Sequence, residues 1–130
     1  MNSQQRQYFG ISFLRVVVAL IMLTHGIARI YFGTVDDFGA FLTLNNFPQG
    51  FYLAWAITIF EIVGSILLAI GFYVAPLATI FALELLCGIA LVHWKEGWFV
   101  VGAGRNGMEY SVLLIAALVT LTLSHFGKGK

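Results

Sequence analysis

Charge is what this chain has least of. Asp, Glu, Lys and Arg make up 10% of its 130 residues, and the formal net charge is +1. Soluble domains carry about 25% charged residues, so a water-soluble globule is excluded. With the signs scattered and no basic patch, nucleic-acid binding has no electrostatic footprint either. The only cysteine, Cys87, lies in an apolar run, which rules out an internal disulfide and any C-x-x-C pair. Both prolines fall at segment borders, Pro48 in a turn-rich stretch from Asn45 to Gly50 and Pro76 in a first helical turn. Polar and apolar residues do not alternate over strand-length stretches, so a membrane β-barrel is excluded.

What the chain has is apolar surface. Hydrophobic residues reach 60% and the mean hydropathy is +0.91, the signature of an integral membrane protein. Four stretches approach the ~20 residues that a spanning helix needs, and helices are the spanning form such runs allow. They cover about 9–30, 51–71, 76–92 and 108–124. The expectation is an all-α, four-transmembrane-helix bundle forming a single membrane domain over 1–130. The run after Phe9 is too long for a cleavable signal core and lacks a cleavage site, so it is expected to be a retained first helix.

The connections differ. Gly71 to Ala75 is a tight apolar turn, whereas 31–50 and 94–107 read as longer loops carrying Asp36, Asp37, Lys95, Glu96 and Arg105. An even helix count puts both termini on one side. Arg6, Lys128 and Lys130 lie there without an acid; Arg29, Lys95 and Arg105 lie opposite, with acids. Lys and Arg tie in number, but the basic tail and the short turn favour cytoplasmic termini in a bacterial inner membrane.

The first apolar stretch carries residues that lipid does not tolerate. Arg15, Val18, Met22, His25, Gly26 and Arg29 fall within an arc of roughly 100° on a helix, so the polar groups share one face that must turn toward partner helices. A charge near mid-bilayer costs about 2.5–3.5 kcal/mol on insertion scales. Glu61 and Glu84 sit near the middles of the second and third helices, and Arg15 with one of them is the leading ion pair. The bland alternative is that these charges only lock helix register. Small residues near Glu61 (Ala54, Gly64, Ser65) and near Glu84 (Cys87, Gly88) support close helix packing.

A second polar cluster is expected toward the outer boundary. His25 and Arg29 end the first helix, His93 ends the third, and Glu109 with Tyr110 opens the fourth, where an acid suits the macrodipole. On an ideal helix His93 lies about 180° from Glu84, so it turns inward only where the helix ends or unwinds. Trp94, Trp98, Tyr31 and Tyr110 also read as an aromatic belt. His25 and His93 as haem ligands, or around a metal with Glu109, are the competing reading. No H-x-x-x-H or C-x-x-C-H spacing calls for either, and no metal site is expected. The group reads better as a polar pocket for a quinone head group or a small anion, with imidazole able to move a proton.

Taken together, these pieces resemble the DoxX family of small four-helix membrane proteins. The matching residues are Arg15, His25-Gly26-Ile27-Ala28-Arg29, Glu61-Ile62-Val63-Gly64 with Leu68 and Gly71, His93, Gly97-Trp98-Phe99 and Gly107-Met108-Glu109-Tyr110. The family commonly closes with Gly-Pro-Gly and Ser-x-Asp, where this chain has Ser124-His125-Phe126-Gly127. The resemblance implies a role beside thiosulfate:quinone oxidoreductase or in membrane assemblies handling oxidative or thiol stress. It also implies recurring polar positions at Arg15, His25, Arg29, Glu61, His93, Glu109 and Tyr110.

Three functions follow as expectations. One is a redox-associated membrane subunit that binds a quinone and takes electrons from a partner subunit, since no electron-carrying cofactor is encoded. Another is a non-catalytic accessory subunit of a larger membrane complex. The last is a small proton-coupled carrier using Glu61 and Glu84, which needs a homo-oligomer to form a path of useful width.

Overall fold

Asn2 and Gln5 start the first helix by capping each other. The Gln5 amide donates to Asn2 Oδ1 at 2.8 Å and the Asn2 amide donates to Gln5 Oε1 at 2.9 Å, a reciprocal box that satisfies two otherwise orphaned donors. The computed structural model describes residues 1–127. It is helical, with no strand among the described residues. The basic tail at Lys128 and Lys130 lies outside them.

The elements are α1 (Ser3–Tyr31), α2 (Val35–Leu44), α3 (Gly50–Ile70), α4 (Val74–Gly88), a π-helical turn (Ile89–His93), α5 (Trp94–Glu96) and α6 (Glu109–His125). Among the described residues three helical stretches are long and apolar enough to cross a membrane: Ser3–Tyr31, Gly50–Ile70 and Val74–Glu96. The fourth, α6, is apolar but only 17 residues long.

The 31–50 segment departs from expectation. Read as a loop, it contains the ten-residue α2. A helix this short carries no spanning run, which is why an apolar-length criterion passes over it. Asp36 and Asp37 occupy its first turn, where the helix dipole favours acids. Its apolar face buries Val35 and Leu42 with Ala54 of α3, and Phe38, Phe41, Leu53 and Trp55 pack around them. Gly39 and Gly50 let the two backbones meet: a Cβ on Gly39 would lie 3.0 Å from Phe51 Cα, and one on Gly50 would overlap Thr43 Oγ1 and Gly39 O.

The chain divides into two compact units. The first to be described spans Ala19–Phe72, that is, the C-terminal part of α1 with α2 and α3. Here α1 approaches α3 at Gly26, where a Cβ would lie 2.8 Å from Ile62 Cγ1, 3.1 Å from the Thr58 carbonyl oxygen and 3.2 Å from Glu61 Cβ. At its far end α3 stops on Gly71 in the left-handed region (φ 94°). The Phe72 amide bonds Leu67 O at 2.9 Å and the Gly71 amide bonds Leu68 O at 3.2 Å, which is a Schellman cap.

The second unit joins Met1–Val18 to the chain from Tyr73 onward. In it α4 and α6 run antiparallel around buried Phe81, Leu118 and Leu121. Thr79 and Thr122 bridge the pair at 3.2 Å, and each reaches Ala75 O as well. Pro76 sits in the first turn of α4, where its missing N–H leaves no carbonyl unserved.

Gly26 is therefore a contact point and Gly10 is not, since a Cβ at Gly10 meets nothing within 4 Å. Gly26→Ala is expected to lower stability by roughly 1–3 kcal/mol through overpacking. Gly10→Ala is expected to be neutral or to stabilise by up to about 1 kcal/mol through helix propensity. Thermal unfolding of both variants in mild detergent checks the pair.

Candidate functional site

Arg29 is engaged by three side chains, those of Glu61, Thr58 and Phe38. Because Gly26 brings α1 against the Thr58–Ile62 stretch, Arg29 lands beside the middle of α3 and not at its first turn. Its Nη1 donates to Glu61 Oε1 at 2.5 Å and to Thr58 Oγ1 at 3.0 Å. The Glu61 side chain is 4% exposed and that of Arg29 is 18%. Thr58, fully buried, passes its own proton to Ala54 O at 2.8 Å, so its oxygen is free to accept from Arg29. Ser65 Oγ donates to the Glu61 carbonyl one turn further on. The guanidinium carbon lies 4.6 Å from the Phe38 ring centroid, a cation–π contact supplied by α2.

This arrangement revises the expected pairing. The cation on Glu61 is Arg29, which the sequence assigned to an outer cluster; of the two acids expected as alternatives for Arg15, Glu61 is thus taken by another residue and Glu84 stands as expected. Arg15 and Glu84 are both half-buried, and each is engaged within the structure. Both bonds from Arg29 leave through Nη1, so the other donors of its five-donor fork are not spent on Glu61 or Thr58. His25 stands four residues earlier on α1, one turn away along the same side. Its Nδ1 donates to Ile21 O at 2.8 Å, because a carbonyl only accepts, and Nε2 takes no part in that bond.

The other members of the expected cluster, His93, Glu109 and Tyr110, belong to the second unit. The π turn at Ile89–His93 supplies the unwinding that an inward His93 requires, because a π turn breaks the 100° step of the helix. His93 Nδ1 donates to Asn106 O at 2.9 Å, tying the end of the third span to the loop that leads into α6. Glu109 does not face a histidine in this geometry. Its Oε1 accepts the amides of Val100 and Val101, at 2.8 and 2.7 Å. Three backbone bonds close the same loop: Gly107 to Phe99 O, Met108 to Gly97 O and Glu109 to Trp98 O. Gly107 fits there because a Cβ would lie 2.6 Å from the Trp98 carbonyl. Tyr110 is exposed beside it. Among the described residues no group of three or more His, Cys, Asp or Glu is placed to hold a metal.

Sequence reasoning missed Thr58, Phe38 and Asn106. Thr58 was within reach, since it precedes Glu61 by three residues and so shares its face. Phe38 was not, because its helix had been read as a loop.

Two tests follow. Removing either partner of the Arg29–Glu61 pair strands a buried charge, so Arg29→Leu and Glu61→Leu are each expected to cost roughly 3–5 kcal/mol. The double variant is expected to recover much of that loss, read as a non-additive cycle of thermal midpoints in detergent. In the second unit, Glu109→Ala is expected to speed hydrogen exchange at the Val100 and Val101 amides while exchange in the middle of α6 stays unchanged.

Comparison with known proteins agrees with this architecture. The DoxX family model matches residues 10–94. A Haemophilus influenzae protein described as "Uncharacterized protein" is 31% identical over 114 residues, covering 85% of this chain and 81% of that one. "Putative oxidoreductase CatD" of Bacillus subtilis is 28% identical over 119 residues, covering 90% of this chain and 81% of its own. No solved structure matches the chain. The family pattern runs from the first span through the π turn, across well over half of the residues, and the chain belongs to the DoxX family of integral membrane proteins.

Proposed function

We propose that this chain is the membrane subunit of a quinone-linked redox system, seated in the bacterial inner membrane with both termini cytoplasmic. Its polar site takes a quinone head group, or a small anion of similar reach. The observation that carries this reading is Arg29, a cation set beside the middle of an apolar helix with fork donors left over from its ion pair. Those donors suit a carbonyl or anionic oxygen, and the Phe38 ring offers an aromatic wall beside them. His25 Nε2 is the atom able to give or take a proton there. Reduction of a quinone to the quinol consumes two electrons and two protons. The electrons come from a partner redox protein. The printed name of the Bacillus subtilis relative, an oxidoreductase, supports the same class.

One observation favours a second reading, a non-catalytic accessory subunit. Arg29 links α1 to α3 through Glu61 and Thr58 and to α2 through Phe38, which is what a purely architectural charge would do. His25 separates the two readings, since its ring nitrogen bonds only its own helix. His25→Ala is expected to leave abundance and thermal midpoint unchanged while quinone recovered with the purified protein, and quinone-linked oxygen uptake, fall roughly tenfold or more. Unchanged uptake in that variant, with no quinone recovered from the wild type, assigns the chain to the accessory role.

A further inference from the structure

The connection from α5 to α6, in the second unit, presents an apolar face that the quinone reading does not use. Trp98 is 47% exposed, Phe99 52% and Val101 78%, and no charged residue stands between Glu96 and Arg105. Exposed apolar side chains grouped in this way mark a contact with a protein or a membrane. The backbone of the same stretch is prepared for a medium poor in water. The carbonyls of Gly97, Trp98 and Phe99 accept the amides of Met108, Glu109 and Gly107 at 3.0, 2.9 and 3.2 Å. The Gly97 amide goes to Trp94 O, and those of Val100 and Val101 go to Glu109 Oε1. Backbone facing water has no need of such pairing, whereas backbone entering an apolar layer does.

The same bonds fix where the loop lies. Glu109, which holds Trp98 O, is the first residue of α6, and His93, which holds Asn106 O, closes the π turn at the end of the third span. Both ends of the loop are therefore kept close to helix ends. The helices themselves face lipid through exposed Leu83, Leu86 and Leu113. The apolar face of the loop thus continues an interface that the chain already has with the bilayer. Lys95 and Arg105 flank it, both exposed, with stems long enough to carry their charges out to the headgroups. Glu96 and Glu109 match them in number, so the sign of the headgroup is not selected.

We propose that the 97–105 loop is a membrane-surface anchor: Trp98, Phe99 and Val101 sit among the headgroups and upper acyl chains of the bilayer, and Glu109 permits this by taking the Val100 and Val101 amides. An aromatic belt asks only for side chains at the boundary, whereas here a stretch of loop backbone enters it as well. The inference uses no residue of the Arg29 site and is independent of the quinone reading.

A full-length variant that keeps Trp98 as its one tryptophan, made by Trp55→Phe and Trp94→Phe, tests this in phosphatidylcholine vesicles. Its fluorescence is read against acrylamide in the water, and against phosphatidylcholine brominated on the acyl chains either near the headgroup or near the methyl end. Bromines near the headgroup are expected to quench Trp98 roughly twofold more than bromines at the chain ends, and acrylamide to quench it roughly threefold less than free N-acetyltryptophanamide. Adding Glu109→Ala takes the acceptor from two amides, and should raise acrylamide quenching roughly twofold while the bromolipid signal falls. Strong acrylamide quenching without a bromine effect overturns the proposal, by showing a water-facing patch open to a protein partner. Shielding from both quenchers overturns it as well, by showing burial against a second copy. Quenching unaltered by Glu109→Ala overturns the role given to Glu109. If Glu109→Ala fails to give monodisperse helical protein, the two quenching ratios of its parent decide alone.

Discussion

A carboxylate buried among apolar helices must find a cation, and the first unit is arranged around that requirement. Glu61 on α3 finds Arg29 on α1, and the distance is short because Gly26 removes the side chain that would hold the helices apart. The pair needs further support to be tolerable, since attraction alone does not repay the desolvation of two charges. Thr58 accepts a second bond from the same Nη1, and Phe38 covers the guanidinium. Hydrophobic residues of equal volume would pack as well. A slip of one turn along α3 would separate the charges.

The second unit handles polarity differently. Where α4 and α6 meet, the polar groups are hydroxyls that borrow backbone carbonyls, as Thr79 does with Ala75 and Thr120 with Ala116. Where the chain leaves the helix, a carboxylate serves the backbone. Glu109 gathers two consecutive amides of a loop rich in Trp, Phe and Val, which would otherwise enter an apolar boundary with unpaired donors. The π turn before it gives His93 the angle needed to hold Asn106 on the same loop. An acid and an imidazole, together with three backbone bonds, thus order a long connection that has little regular structure.

The sequence reveals the long elements well and the polar geometry poorly, for physical reasons. Apolar length identified the three spanning helices and the shorter fourth, because soluble segments seldom run close to twenty residues with so little charge. It passed over α2, whose ten residues are amphipathic on a scale that turn-rich flanks disguise. The ionisable residues were all visible as anomalies, but their partners depend on how far one helix slides along another. Arg29 near the end of α1 reads as a boundary residue until Gly26 is seen to face Thr58 and Ile62. The fate of Glu109 was hidden for a similar reason: its partners are backbone amides, which leave no mark in the residue pattern.

The unequal lengths of the two helices in the second unit have a consequence for the surrounding bilayer. The stretch Val74–Glu96 holds 23 residues and α6 holds 17. At 1.5 Å per residue these are roughly 34 and 26 Å, on either side of a hydrocarbon core of about 30 Å. Lipid beside α6 has to thin or the helix has to draw its flanks inward, at a cost of fractions of a kcal/mol per Å of mismatch. Such a surface favours short-tailed neighbours and thinner membranes, so lateral sorting of the chain depends in part on the shorter helix of this pair.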